Sequence, residues 1–169
     1  MQWNCDIIGD GSPAADAEAI GVCVGLLEEL GLTPEHVKVR FNHRGALAAV
    51  VSRLGVDEQH MPAAFVLLDR RDRLSDDDLE AMAFEFGITS FDFLRLLKRP
   101  RNAQGIDAMA AALPAEVARD AEALLEPLRT VESHLAGSGV GPWCSLDLNV
   151  ARGLAYYTGM VFEVHEISG

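Results

Sequence analysis

Two sheet-forming stretches stand at opposite ends of this chain, with a long run of helical periodicity between them. Neither end is large enough to bury a sheet face alone, so each must find the other. Near the start, Val37-Lys38-Val39-Arg40-Phe41-Asn42 alternates apolar and polar residues, as a half-buried strand does. Gln2 to Gly9 also reads as a strand, and Asp10-Gly11-Ser12-Pro13 as a turn. Between them Ile20, Val24, Leu27 and Leu30 fall at helical spacing, and Gly31 is placed to end that helix in a left-handed cap. Near the other end, residues 143–148 and 159–166 read as strands.

The middle has a different texture. Helices are expected over 46–54, ending at Gly55, and over 57–71, with Pro62 near the front. Ser75-Asp76-Asp77-Asp78 is a capping sequence for a helix to about Phe86, and Thr89-Ser90-Phe91-Asp92 opens another, closed by Arg99-Pro100. A short helix follows over 104–112. Pro114 suits the first turn of a long helix to about Leu135, broken at Gly137-Ser138-Gly139. The expected organisation is α+β: a strand–helix–strand unit (1–45), a helical insertion (46–137) and a closing strand pair (138–169), the first and last sharing one sheet.

Composition narrows the function classes. The 169 residues carry a net charge of -12, with Lys only at positions 38 and 98. Such a chain is a poor stand-alone ligand for nucleic acid, which needs a local cationic excess. The dense basic clusters are Arg70-Arg71-x-Arg73 and Lys98-Arg99-x-Arg101. Clusters of this kind are most often solvated surface, and both lie in the helical block, where they are candidates to face an RNA backbone. The Asp76–Asp78 run reads as a helix cap and not as a metal site. Asp16 and Glu18 fit the positive end of the first helix. Cys5, Cys23 and Cys144 form no ligand pair, and no histidine spacing suggests a metal, so none is expected. Reduced cysteines packed as small hydrophobes suit a cytoplasmic protein. No apolar run approaches the ~20 residues of a membrane helix, and no basic-then-apolar signal segment opens the chain.

The chemistry concentrates in Val150-Ala151-Arg152-Gly153-Leu154-Ala155-Tyr156-Tyr157-Thr158-Gly159, set between two strand-like runs. Arg152 brings five fixed donors suited to phosphate or carboxylate. Gly153 lets the backbone approach a ligand closely. If this backbone is extended, Tyr156 and Tyr157 face opposite ways, so one packs while the other meets a ligand. In an extended N-terminal segment Gln2 and Asp6 face the same way, an amide and a carboxylate suited to an ammonium or an imidazole N–H.

The RGLAYYTG stretch resembles the histidine-specific motif of the histidyl-tRNA synthetases. Gln2-x-x-x-Asp6, followed by Ala15-Asp16-Ala17-Glu18-Ala19-Ile20, looks like the end of that family's motif 2 and the helix after it. The resemblance implies part of the mixed, mostly antiparallel class II synthetase sheet, with a helical insertion. It implies ATP-dependent activation of histidine and transfer to tRNA, with ATP as a substrate accompanied by Mg2+. Arg152 would approach the ATP α-phosphate and the amino-acid carboxylate. Gln2, Asp6, Tyr156 and Tyr157 would form the histidine side, Tyr157 as the nearer contact and Tyr156 as the packing residue. Ala155 departs from the acidic residue many members carry there. The family's motif 1, motif 2 arginine, motif 3 and anticodon-binding domain have no counterpart in these residues. The expectation is therefore a piece of a longer enzyme, inactive alone, with tRNA contact weak or absent. A homodimer is compatible with the strand edges such a piece exposes. The alternative is a histidine-binding regulatory paralogue resembling the regulatory subunit of ATP phosphoribosyltransferase.

Overall fold

A computed structural model describes residues 4–99, 113–147, 149–150 and 159–167, and for 120–122 the backbone alone. The three strands described are β1 (Val37–His43), β2 (Cys144–Leu146) and β3 (Met160–Glu166). They form one mixed sheet in the order β2-β1-β3. β1 pairs in parallel with β2, Val39 opposite Cys144 and Phe41 opposite Leu146. On its other edge it pairs antiparallel with β3, Val37 opposite Glu166 and His43 opposite Met160. A parallel pair cannot be closed by a tight turn. The whole helical block serves here as the crossover from β1 to β2.

The helices begin where the sequence places its caps. In α1 (Pro13–Glu29) the Ser12 hydroxyl accepts from Ala15 N, with Pro13 in the first turn. The Asp10 carboxylate accepts from Ser12 N at 2.9 Å, which makes the turn before it. Gly31 follows at φ +78°, the left-handed cap its position predicts. The His43 ring accepts from Ala46 N and opens α2 (Arg44–Arg53) directly from the end of β1. Then come α3 (Met61–Arg70), α4 (Asp76–Glu85), capped by Ser75, and α5 (Phe91–Leu97), capped by Ser90. The long α6 (Ala115–Gly137) follows.

Four expectations need correction. The described part of the 2–9 stretch, residues 4–9, is not a strand and is exposed. Alternation alone supplies no hydrogen-bond partner, and both edges of β1 are taken. The single helix over 57–71 is two pieces, because Asp57 caps a short 3-10 turn at Glu58–His60 before Pro62 restarts the chain as α3. The strand over 143–148 shrinks to Cys144–Leu146, with Trp143 in a 3-10 turn. The long helix runs through Gly137, and the left-handed break comes at Gly139, φ +81°. The expected helix over 104–112 lies outside the described residues.

One hydrophobic core joins the sheet to the helices. Val37, Val39 and Phe41 point from β1 into it, and α1 delivers Ile20 and Val24. α6 delivers Leu125, Leu128, Val131 and Leu135, while Leu47, Val50, Leu67 and Leu79 come from α2, α3 and α4. The three cysteines are free. Burial raises the Cys23 thiol and pushes the Cys144 thiol up to about 11, so both act as packing groups. No described helix is long and apolar enough to cross a membrane.

Phe41 is 1% exposed at the centre of the sheet's core face. Phe41→Ala is expected to cost about 3–5 kcal/mol in urea denaturation at an unchanged denaturant slope. A loss under about 1 kcal/mol would mean that β1 is not the middle of the core.

Candidate functional site

Pleating gives β1 two unlike faces. Val37, Val39 and Phe41 enter the core, and Lys38, Arg40 and Asn42 take the other face. The register sets Arg40 beside Glu163 and Lys38 beside His165. A polar cleft of about 290 Å3 opens on this face. Arg40, Glu163 and His165 form its floor, and Asp147, Asn149 and Val150 one wall. Asp69, Asp72 and Arg73, at and beyond the end of α3, line it as well.

The floor is built from an ion pair and a histidine–carboxylate hydrogen bond. Arg40 Nη1 lies 3.1 Å from Asp147 Oδ2, and Asp147 is 5% exposed. The His165 ring lies 3.0 Å from Glu163 Oε2. Asp147 also accepts from Asn149 N at 2.9 Å through Oδ1, so one buried carboxylate holds a cation and turns the chain after β2. Among the described lining residues, the carboxylates of Asp69, Asp72, Asp147 and Glu163 stand with Arg40, Arg73 and His165, so the cleft offers both acceptors and cationic donors to a polar ligand.

Val150, which lines the cleft, immediately precedes the stretch that carries Arg152, Tyr156 and Tyr157. Asn42, fully buried, donates from Nδ2 to Val150 O at 3.3 Å and accepts His43 N at 2.8 Å. Arg44 N donates to Gly159 O at 2.9 Å. Three consecutive residues at the exit of β1 thus fix the chain immediately before and after 151–158. This follows from the topology: β2 and β3 flank β1, so the link between them must cross its end.

Of the residues singled out from sequence, Asp6 is exposed in the irregular segment before α1. Gln2, Arg152, Tyr156 and Tyr157 lie outside the described residues. The basic clusters need correction. Arg71 and Arg99 are buried, at 1% and 8% exposure, and do not present charge to a partner. Arg71 Nε donates to Leu97 O at 2.7 Å and Nη2 to Arg99 O, closing the end of α5, while Arg99 Nη1 donates to Leu96 O at 3.1 Å. Lys98 is on the surface and pairs with Glu80. The cleft residues Arg40, Asp147, Asn149, Glu163 and His165 were not singled out. Their signal was present, since the alternation of β1 and β3 already puts Arg40, Glu163 and His165 on the faces away from the apolar residues.

No group of three or more His, Cys, Asp or Glu among the described residues is arranged to hold a metal ion. The acidic run Asp76–Asp78 is the first turn of α4, as its capping pattern predicts: the Ser75 hydroxyl accepts from Asp78 N at 3.1 Å.

Comparison with known proteins gives a consistent result. The family model described as histidyl-tRNA synthetase matches residues 1–167. A histidine–tRNA ligase of Halorubrum lacusprofundi is 34% identical over 173 residues, covering 99% of this chain and 38% of that protein. The solved histidyl-tRNA synthetase from Nostoc sp. PCC 7120 shares the fold at a TM-score of 0.75 and 20% identity, over 92% of this chain and 37% of the other. An ATP phosphoribosyltransferase regulatory subunit/histidyl-tRNA synthetase from Bacillus halodurans C has a TM-score of 0.66 at 23% identity, over 95% of this chain and 41% of that one. The sheet with its helical crossover is thus an α+β arrangement of the class II synthetase type. The chain spans about 38% of the length of the curated relatives it matches.

Asp147→Ala removes the partner of Arg40 and the acceptor of Asn149 N together. It is expected to destabilise the chain by about 2–3 kcal/mol in denaturant titration, and Asp147→Asn by roughly half as much. Equal stability of Asp147→Ala and the wild type would show that the cleft floor is not organised by this carboxylate.

Proposed function

This chain belongs to the histidyl-tRNA synthetase family, and we propose that it forms the histidine-recognising part of a histidine–tRNA ligase catalytic domain. The observation that supports this reading is the anchoring of Val150 and Gly159, the described residues on either side of 151–158, at the exit of β1, with Val150 lining a polar cleft. Residues 1–45 and 138–169 belong to the catalytic core, and 46–137 form the helical insertion.

In this reading Arg152 is the catalytic group. Its guanidinium stabilises the negative charge that builds on the ATP α-phosphate as the histidine carboxylate attacks, an electrostatic contribution that needs no proton transfer. Tyr157 lines the imidazole pocket and Tyr156 packs behind it. Gln2 and Asp6 hold the α-ammonium by charge-assisted hydrogen bonds. Asp6 stands exposed, free to meet a ligand. Magnesium enters with ATP as part of the substrate. The parent enzyme works in the cytoplasm, with tRNA engaged mainly through other parts of it. In this reading these residues do not complete adenylation alone. Sustained histidine-dependent pyrophosphate exchange by the purified 169-residue chain would contradict this.

The second reading is a histidine-binding regulatory paralogue of ATP phosphoribosyltransferase. The likeness in fold to the Bacillus halodurans protein supports it. A histidine-binding surface is common to both readings. Calorimetric titration with histidine is expected to show saturable binding, weakened at least tenfold by Arg152→Ala or Tyr157→Ala. Binding unchanged by both substitutions would overturn the residue assignments, and no binding at all would overturn the proposal that this part recognises histidine by itself.

A further inference from the structure

Asn149 lies three residues before Arg152, and its side chain reaches away from the sheet to two places in the helical block. Its Oδ1 accepts from Arg99 Nη2 at 3.3 Å, just beyond α5. Its Nδ2 donates to Asp72 Oδ2 at 3.0 Å, just beyond α3. This orientation of the amide is the one its partners require, oxygen toward the cation and nitrogen toward the carboxylate. Its backbone N–H is held by Asp147 at 2.9 Å.

The two partners are themselves tied together. Arg71 Nη1 lies 3.6 Å from Asp72, and its other nitrogens donate to Leu97 O and Arg99 O. A connected polar path thus runs from the end of α3, through the end of α5, to Asn149 and on to Asp147 and Arg40. Burying two guanidinium groups side by side is unfavourable: desolvation, then the charge of Arg71, pull Arg99 down to about 10. The arrangement persists because carbonyls and carboxylates satisfy its donors, and such a network admits few alternative geometries. General packing of helices on a sheet needs none of this.

We propose that Asn149 is a positioning residue, a tether that locks the chain at Asn149–Val150, where it enters 151–158, to the helical block. Its bearing on catalysis rests on the reading of 151–158 as the substrate-binding segment. The amide accepts from Arg99 and donates to Asp72 at once, which a carboxylate facing Asp72 cannot do. That complementarity makes a swap possible: with Asp72→Asn and Asn149→Asp together, a carboxylate at 149 accepts from both neighbours.

The test compares N149D, D72N and the double variant of the full chain. Backbone hydrogen exchange at 151–158 is followed by mass spectrometry, with the amides of β1 as the internal reference. Calorimetry with histidine runs in parallel. N149D sets two carboxylates face to face and is expected to speed exchange at 151–158 by tenfold or more while β1 is unchanged. The double variant is expected to return to within about threefold of wild type. Three results would overturn the tether: no change in N149D, no rescue in the double variant, or a rise in exchange shared by β1, which would mean general destabilisation. Exchange at 151–158 that already runs at the rate of an unstructured peptide in the wild type would overturn it too. If the exchange pattern appears but histidine does not bind the wild-type chain, the tether stands and the substrate reading fails.

Discussion

The pairing of β1 with strands more than a hundred residues further along the chain is the interaction on which the rest of this molecule depends. β1 is the one described strand with partners on both edges. Its parallel partner can be reached only through a crossover, which gives the helical block its place. Its antiparallel partner returns on the far side, which forces the link between β2 and β3 over the end of β1. The placement of Val150 and Gly159 beside the end of β1 is therefore a consequence of sheet topology.

The pleat of β1 divides the work. One face carries Val39 and Phe41 into the core beside α2 and α6, and the other carries Arg40 in the cleft and the buried Asn42. Burying a side chain as polar as Asn42 is tolerable because it donates to Val150 O and accepts from His43 N. The same holds for Asp147 and Arg99, whose partners lie on separate elements. Stability and site geometry are thus held by the same bonds, and the polar groups that shape the cleft also fasten the helical block to the sheet.

Much of this was legible in the sequence. Ser12-Pro13, Ser75 with its three aspartates, and Ser90 mark helix starts because a short hydroxyl side chain caps the first free N–H groups whatever the tertiary context. Gly31 and Gly55 mark ends because each turns the chain at positive φ. The alternation of 37–42 survived because one face is truly buried. The 2–9 stretch alternates as well, but a strand needs a neighbour, and periodicity does not say whether one is there. The basic clusters misled for a related reason. Arg71 and Arg99 look like surface charge in one dimension, yet helix ends buried against each other need donors for their free carbonyls, and an arginine can reach them. The cleft was hidden because Arg40, Asp147 and Glu163 are far apart in sequence and meet only through the sheet register.

That register can be read by NMR in the intact chain. Short Hα–Hα contacts typical of antiparallel pairing are expected between β1 and β3 for the opposed pairs on one phase of the ladder, with Arg40 opposite Glu163 and Phe41 opposite Phe162. Sequential contacts between β1 and β2 are expected to follow Val39 with Cys144. A ladder shifted by one residue would turn Arg40 toward the core face and dissolve the cleft. That result, or no contact at all between β1 and the strands beyond residue 143, would contradict the account at its root.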